Sequence, residues 1–208
     1  RKTSQSIDQR RPALAEAMVE RQYRLQPELW EGLGPAARQK SVRDMGYHLQ
    51  YLSEALAASD PTLFTNYVAW LKVLFAGLGF PGQALTTTLE SMRDVLWEEL
   101  PPELAEVPGD YIRLGFELLP QAVTRPPSHL APQAPLSRLA AQYLEALQRG
   151  ERHVASQLIL DAVEAGANIR EIYLHVFQPT QHELGRLWQM NRLTVAQEHY
   201  CTAATQLI

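Results

Sequence analysis

The chain has a single cysteine, Cys201, among its 208 residues. One cysteine excludes an internal disulfide and fits a reducing compartment. Long hydrophobic runs are missing as well, because the longest, from Tyr67 to Phe80, has 14 residues and contains Lys72. A membrane-spanning helix needs about 20 apolar residues, and the first residues lack the apolar core of a signal peptide. These absences predict a cytoplasmic protein that does not enter a membrane.

Basic residues are too few for one class of partner. The chain has 19 lysines and arginines against 23 aspartates and glutamates, for a net charge of -4. Sequence-independent binding of nucleic acid needs a basic face that displaces counterions from phosphate. We therefore expect no direct contact with nucleic acid.

Several sequence patterns that carry catalysis or bind metals are absent. There is no glycine-rich phosphate loop and no nucleophile elbow, and no Glu-x-x-His pair of the kind that binds di-iron centres in helical bundles. His175 and His182 lie seven residues apart near one face of a predicted helix, and Glu171 lies one turn before His175, but these three residues alone are a weak signal for a metal site. We predict no catalytic residue and no metal centre.

Strand-like alternation is also missing, and nearly every segment has helical spacing, so we predict an all-α fold. Residues 124–135 contain four prolines and no apolar periodicity. Such a segment favours an extended linker. It divides the chain into an N-terminal helical domain, 1–123, and a C-terminal four-helix bundle, 136–208. The chain ends within a helical pattern, and we expect it to be part of a longer protein.

The helices of the N-terminal domain are predicted from apolar spacing and from caps. Asp60 followed by Pro61 is typical of a helix start. The other predicted helices are roughly 10–25, 35–58, 82–99 and 109–119.

The bundle is predicted to consist of four helices, 136–148, 151–165, 169–189 and 195–208. Asn168 with Glu171, and Thr194 with Gln197, are typical of capping boxes. Pro179 should kink the third helix. That helix carries one apolar stripe, which we expect to be buried throughout: Ile169, Tyr173, Val176, Thr180, Leu184 and Leu187.

The most informative pattern lies where the last two helices meet. A short loop joins them, so Trp188 and Glu198 should share one end of the bundle, with His199 beside Glu198. An indole can cover a base or sugar, and a carboxylate can accept hydrogen bonds from ribose hydroxyls. Taken singly, Trp188 would more often be a core aromatic and Glu198 a first-turn acid. Together they predict a nucleoside site.

Residues 175–208 resemble the helical cap of the CarH-type cobalamin photoreceptors, in which a tryptophan is followed after nine residues by Glu-His. The resemblance implies adenosylcobalamin as cofactor. It also implies that Trp188, Glu198 and His199 enclose the 5′-deoxyadenosyl group and that Val195 lines the pocket. Gln189 stands where that family has a cobalt-ligating histidine, so this role is not carried over. The Rossmann-like lower domain of such modules is absent from this chain.

The N-terminal domain is similar to the helical module that precedes the cobalamin unit in photocobilins, which pair cobalamin with biliverdin. The similarity implies a bilin pocket, for which we select His48, Tyr51, Tyr67 and Trp70, although spacing alone favours the interpretation that these residues fill a helical core. The function implied is a light sensor that signals, as a homo-oligomer, when light breaks the cobalt–carbon bond. The alternatives are a corrinoid protein of a methyltransferase system and a cofactor-free helical interaction module.

Overall fold

The computed structural model describes residues 2–32 and 34–208, and within these residues it contains helices and no strand. The prediction of an all-α fold is confirmed. The chain forms two compact units, Arg1–Thr124 and Arg125–Ile208. None of the helices in the described part of the chain is both long and apolar enough to cross a membrane.

Proline begins many helices of the N-terminal unit, where its missing N–H is not needed. Asp60 caps α4 as predicted, since its carboxylate accepts a hydrogen bond of 2.9 Å from the Thr62 N–H. The helices are α1 (Lys2–Leu25), α2 (Pro27–Trp30), α3 (Pro35–Ala58), α4 (Pro61–Gly77), α5 (Ala84–Glu99) and α6 (Pro102–Leu118).

Two of these helices begin earlier than their apolar spacing predicted. Helix α1 starts at Lys2 rather than near residue 10, and α6 starts at Pro102 rather than 109. Each helix contains an internal proline, Pro12 or Pro108. A proline deletes one backbone hydrogen bond, and packing of α1 and α6 against their neighbours offsets that loss here.

The core of the N-terminal unit forms where α1 packs against α3 and α5, and α4 packs against α6. Helices α4 and α6 approach closely at Gly115, where an added Cβ would lie 3.3 Å from Val68 Cγ2. Any side chain at this crossing would require Val68 to shift by a few tenths of an ångström. The core includes Ile7, Leu14, Met18, Leu49, Leu52, Phe64, Leu89, Met92, Leu96 and Ile112.

In the C-terminal unit the first helix packs against the second, and also against the long third helix and the last helix. The fully buried Tyr143 ring of the first helix lies 5.4 Å from the ring of Phe177. The elements are α7 (Ser137–Gln148), α8 (Arg152–Glu164), α9 (Ile169–Ile172), a π-helical turn (Tyr173–Phe177), α10 (Gln178–Gln189) and α11 (Val195–Gln206).

The third predicted helix forms over 169–189, but its turn at Tyr173–Phe177, just before Pro179, is π-helical rather than α-helical. Pro179 has no N–H to donate to the carbonyl four residues earlier, and a wider turn accommodates this loss. The turn shifts the helical phase, so the predicted stripe is wrong at Ile169 and Tyr173, which are 62% and 61% exposed. The buried positions are Ile172, Val176, Thr180, Leu184 and Leu187.

The two predicted capping boxes have different outcomes. Thr194 and Gln197 form the complete box at the start of α11. Asn168 caps α9, but its side chain accepts from the Arg170 N–H, and no reciprocal bond from Glu171 accompanies it.

The proline-rich segment packs on α10. Glu183 and Arg186, both nearly buried, form an ion pair of 2.6 Å. The Glu183 carboxylate also accepts from the His129 N–H at 2.9 Å, and Arg186 donates to the Pro126 carbonyl at 3.0 Å. The segment is non-helical, as predicted, but it is held against the bundle rather than extended away from it.

Candidate functional site

A tight reversal between α10 and α11 creates the seam on which the predicted nucleoside site depends. Asn191 adopts a left-handed conformation with φ of 56° and donates to the Trp188 carbonyl at 2.8 Å. Thr194 then caps α11, and its capping box fixes where that helix begins. The two helices consequently run antiparallel along one seam.

A chain of side-chain hydrogen bonds joins the two helices along this seam. The Thr202 hydroxyl lies 3.0 Å from Gln181 Oε1 and 3.0 Å from Glu198 Oε1. Gln181 Nε2 donates to Thr205 Oγ1 at 2.8 Å, and the Tyr143 hydroxyl donates to the same oxygen at 2.9 Å. The network therefore extends from the bundle core to the Glu198 carboxylate.

Trp188 lies on the same side of α10 as Gln181, because residues four and seven apart share one helix face. Gly185 lies between them, and an added Cβ there would meet no atom within 4 Å. Trp188 is half-buried and packs against the core of the C-terminal unit. Gly185 therefore adds no side chain to this face of α10, which carries Gln181 one turn before it and Trp188 one turn after it.

The predicted residues of α11 occupy the edge of this seam. Val195, Glu198 and Thr202 follow one another at steps of three and four residues, so they share one face of α11. Thr202 contacts Gln181 of α10, so this face lies on the α10 side. Val195 is 53% exposed, and the Glu198 side chain is 26% exposed. His199 is mostly exposed, and its Nδ1 lies 2.6 Å from Glu198 Oε2. Helix geometry thus brings Trp188, Val195 and Glu198 to one seam, with His199 outside it.

Cys201 faces away from the seam and toward α7. Its sulfur lies 3.6 Å from the Leu147 carbonyl oxygen, and the residue is buried. Burial, with a smaller contribution from the Glu198 carboxylate, raises the pKa of the Cys201 thiol. The thiol therefore remains protonated at neutral pH and serves as a small packing group.

The histidines of the third helix have other partners. His175 Nε2 lies 3.0 Å from Glu171 Oε2, while the His182 ring contacts the His129 ring edge-on at 5.4 Å between centroids. Across residues 2–32 and 34–208, no group of three His, Cys, Asp or Glu side chains is arranged to hold a metal ion.

Sequence reasoning missed Gln181, Gly185 and Thr202. Their signal was present, because Gln181, Gly185 and Trp188 follow the steps of four and three that define one helix face. They were not recognised because a glycine, a glutamine and a threonine at these positions form no known functional motif. Only the pairing of the two helices connects them to Glu198.

In the N-terminal unit the four residues selected for a bilin pocket do form one cluster. Tyr51 and Tyr67 stack with ring centroids 3.8 Å apart, and Trp70 lies 6.0 Å from Tyr67. His48 Nδ1 lies 2.7 Å from the Tyr67 hydroxyl. Burial lowers the pKa of His48 to about 4 and raises that of Tyr67. His48 is therefore neutral at pH 7 and carries no positive charge for a carboxylate.

The buried His48 predicts a pH-dependent stability of the N-terminal unit. Its folded pKa of about 4 lies below the ordinary 6.5, so the unfolded state binds more protons between these values and stability falls as pH falls. From pH 7 to pH 5 the loss should be about 2 kcal/mol. His48→Gln keeps a hydrogen-bond partner for Tyr67 but does not titrate. Urea unfolding at pH 7 and pH 5 should therefore show this loss of stability in the wild-type protein and not in the variant. An equal pH dependence in both proteins would contradict the prediction.

A second feature of this unit is a cleft between α5 and α6 of about 560 Å³. Its walls carry both charge and aromatic surface, with the Arg93 guanidinium 5.8 Å from the Phe116 ring centroid. Gly109 leaves open space on the α6 side. The cleft is lined by Arg93, Asp94, Trp97, Glu98, Glu106, Gly109, Asp110, Arg113 and Phe116. The volume lies within the range of small-molecule sites.

Comparison with known families accounts for both units. Residues 2–122, more than half of the chain, match the family model of phycobilisome proteins. The chain belongs to the phycobilisome protein family. Residues 139–208 match the model of the B12 binding domain. No curated protein and no solved structure matches the chain.

Each of the two units thus contains one family match. The seam of α10 and α11, with Gly185, Trp188 and Glu198, lies inside the helical B12-binding domain. The B12-binding match supports cobalamin as a ligand of that domain. The α5–α6 cleft and the aromatic cluster both lie inside the phycobilisome match.

Proposed function

We propose that this protein is a light-responsive regulator that binds adenosylcobalamin and is not an enzyme. The observation that carries the proposal is the α10–α11 seam inside a B12-binding domain, where helix spacing places Gly185, which has no side chain, on the same face of α10 as Trp188, and Glu198 on the facing side of α11. A methyl group does not need the room left by the missing side chain, whereas a nucleoside does. When bound, adenosylcobalamin supplies a cobalt–carbon bond that light cleaves.

The residues of the seam suit the adenosyl group by their chemistry. Trp188 offers a flat apolar face to the base or sugar, and Val195 offers apolar contact beside it. Glu198 accepts hydrogen bonds from ribose hydroxyls, and charge makes such bonds stronger than neutral ones. His199 holds the outer carboxylate oxygen of Glu198.

A bilin is the second chromophore of the proposal, and the α5–α6 cleft is its best location. Arg93 and Arg113 can pair with propionates. Asp94 can accept from pyrrole N–H groups, and Trp97 supplies a flat apolar wall. The only cysteine is in the other domain, so a thioether to this domain is excluded. The cluster of His48, Tyr51, Tyr67 and Trp70 is the competing location.

Illumination of the full-length protein tests the first part of the proposal. The adenosylcobalamin complex should be stable in the dark, and green light should change its visible spectrum and its oligomeric state in size-exclusion chromatography. An unchanged spectrum would reject light sensing. Tighter binding of methylcobalamin than of adenosylcobalamin would instead favour a corrinoid protein of a methyltransferase system.

The bilin is tested separately by titration with biliverdin. A bound visible spectrum should appear, and Arg113→Gln should weaken binding while Tyr51→Leu leaves it unchanged. The reverse pattern would assign the bilin to the aromatic cluster. No bound spectrum in the wild-type protein would remove the bilin from the proposal.

A further inference from the structure

We infer that Thr202 and Gln181 are positioning residues that hold the Glu198 carboxylate on the α10 side of the seam, and that they make this site select ligands that carry hydroxyl groups. The inference rests on the proposed function. Thr202 and Gln181 belong to no sequence motif, and we assign to them the preference of the site for an upper ligand that carries hydroxyl groups.

The first argument is that Glu198 has two tethers that pull in different directions. Its Oε1 is held by the Thr202 hydroxyl at 3.0 Å, and its Oε2 by His199 Nδ1 at 2.6 Å. His199 is 75% exposed, whereas Thr202 is partly buried and contacts α10 through Gln181. Without Thr202, the remaining tether would hold the carboxylate on the solvent side.

The second argument is that the inner tether is itself fixed. Gln181 donates to Thr205, and Thr205 also accepts from the buried Tyr143 and donates to the Cys201 carbonyl at 3.0 Å. The Thr205 hydroxyl thus uses its one proton and both of its lone pairs in hydrogen bonds. The amide plane of Gln181 is fixed in consequence, and its oxygen points to the Thr202 hydroxyl.

The third argument concerns the single proton of the Thr202 hydroxyl. Two acceptors, Gln181 Oε1 and Glu198 Oε1, lie at the same distance of 3.0 Å. One hydroxyl proton serves one of them at a time. The Glu198 carboxylate has further lone pairs, so a ligand hydroxyl can donate to it while Thr202 continues to hold it. The ligand therefore gains a charge-assisted hydrogen bond without depriving the protein of one.

A ligand without hydroxyl groups gains nothing from this arrangement. Methylcobalamin presents no donor to Glu198, so the position of that carboxylate does not alter its affinity. Adenosylcobalamin presents two ribose hydroxyls. Pre-positioning of an acceptor raises affinity because the ordering cost is met before binding, and it does so only for the ligand that uses the acceptor.

The test is the ratio of dissociation constants for methylcobalamin and adenosylcobalamin, measured in the dark with the full-length protein. Thr202→Val should lower this preference for the adenosyl form by about three- to tenfold, the worth of one hydrogen bond. Gln181→Met should act in the same direction. Thr202→Ser, which keeps the hydroxyl, should retain the preference of the wild-type protein.

Tyr200→Phe is the matched control. It also removes one hydroxyl from α11, but that hydroxyl donates to the Gly150 carbonyl on another side of the helix. Its preference for adenosylcobalamin over methylcobalamin should equal that of the wild-type protein. An unchanged affinity for methylcobalamin shows that a variant is folded. An unchanged preference in Thr202→Val, with a wild-type protein that prefers the adenosyl form, overturns this inference alone. A wild-type protein without that preference overturns it together with the adenosylcobalamin proposal.

Discussion

Replacing Gly185 by leucine should lower the affinity for adenosylcobalamin by about 100-fold, equivalent to about 2.7 kcal/mol. The new side chain would fill the open space between Trp188 and Gln181, where an added Cβ meets no protein atom within 4 Å. The protein tolerates the change, because leucine favours a helix more than glycine by up to about 1 kcal/mol. The loss would therefore be specific to the bulky ligand. Equilibrium titration in the dark measures it.

Two controls separate filling of the site from general effects. Gly185→Ala adds one carbon and should lower the affinity much less than leucine does. Gly46→Leu makes the same change at a mid-helix glycine of α3 that also has open space around it, and it should leave cobalamin binding unchanged. If Gly185→Leu bound adenosylcobalamin as tightly as the wild-type protein, the ligand would not occupy this space.

Local signals in the sequence were sufficient to locate most helices and the seam. Asp60 and Thr194 are helix caps whose hydrogen bonds involve residues two or three positions away, so their roles can be recognised from neighbouring letters alone. The pairing of α10 with α11 also follows from local information, since a five-residue connection between two helices leaves few alternatives to an antiparallel pair.

Features that depend on distant partners were not predictable in the same way. The burial of Ile172 in place of Ile169 and Tyr173 follows from a π-helical turn, and a period of 3.6 residues carried through that turn assigns the wrong face. The hydrogen bond between Gln181 and Thr202 joins residues 21 positions apart. No spacing rule within either helix specifies which polar side chain of the other helix it meets.

The proline-rich segment illustrates the same limit. Its composition correctly predicts a non-helical chain, but its attachment depends on Glu183 and Arg186, more than 50 residues away. In the sequence this pair has the ordinary appearance of an i, i+3 surface ion pair. Burial makes the difference, because a buried charge needs its partner far more than an exposed one does.

Replacing Glu183 by glutamine should lower the free energy of unfolding of the C-terminal unit by about 3 kcal/mol. The Glu183 side chain is 6% exposed and that of Arg186 is 12% exposed, so the variant leaves a nearly buried guanidinium without a counter-charge. It also weakens the acceptor of the His129 N–H, and amide hydrogen exchange at residues 128–130 should become faster. Urea unfolding of the variant and the wild-type protein measures the loss of stability.

The pH dependence of this difference provides an internal check. Burial by itself raises the pKa of Glu183, but hydrogen bonds from Arg186 and from the His129 N–H outweigh it and hold the pKa below its ordinary value. The ion pair therefore contributes its full stability above the unfolded-state pKa of about 4.3. That contribution is lost as the pH falls through the lower folded value. The difference in free energy of unfolding between the wild-type protein and Glu183→Gln should therefore disappear over the same acidic pH range.

Glu145→Gln is the matched control for Glu183→Gln. It neutralises one member of an i, i+4 pair with Arg149, whose side chains are 59% and 60% exposed. Solvent screens such a pair, so its loss should cost about 0.5 kcal/mol or less. If Glu183→Gln were no more destabilising than Glu145→Gln, the Glu183–Arg186 pair would not fix the proline-rich segment to α10. Helix α10 carries Gly185 and Trp188, so a confirmed anchor would join that segment to the helix that borders the cobalamin seam.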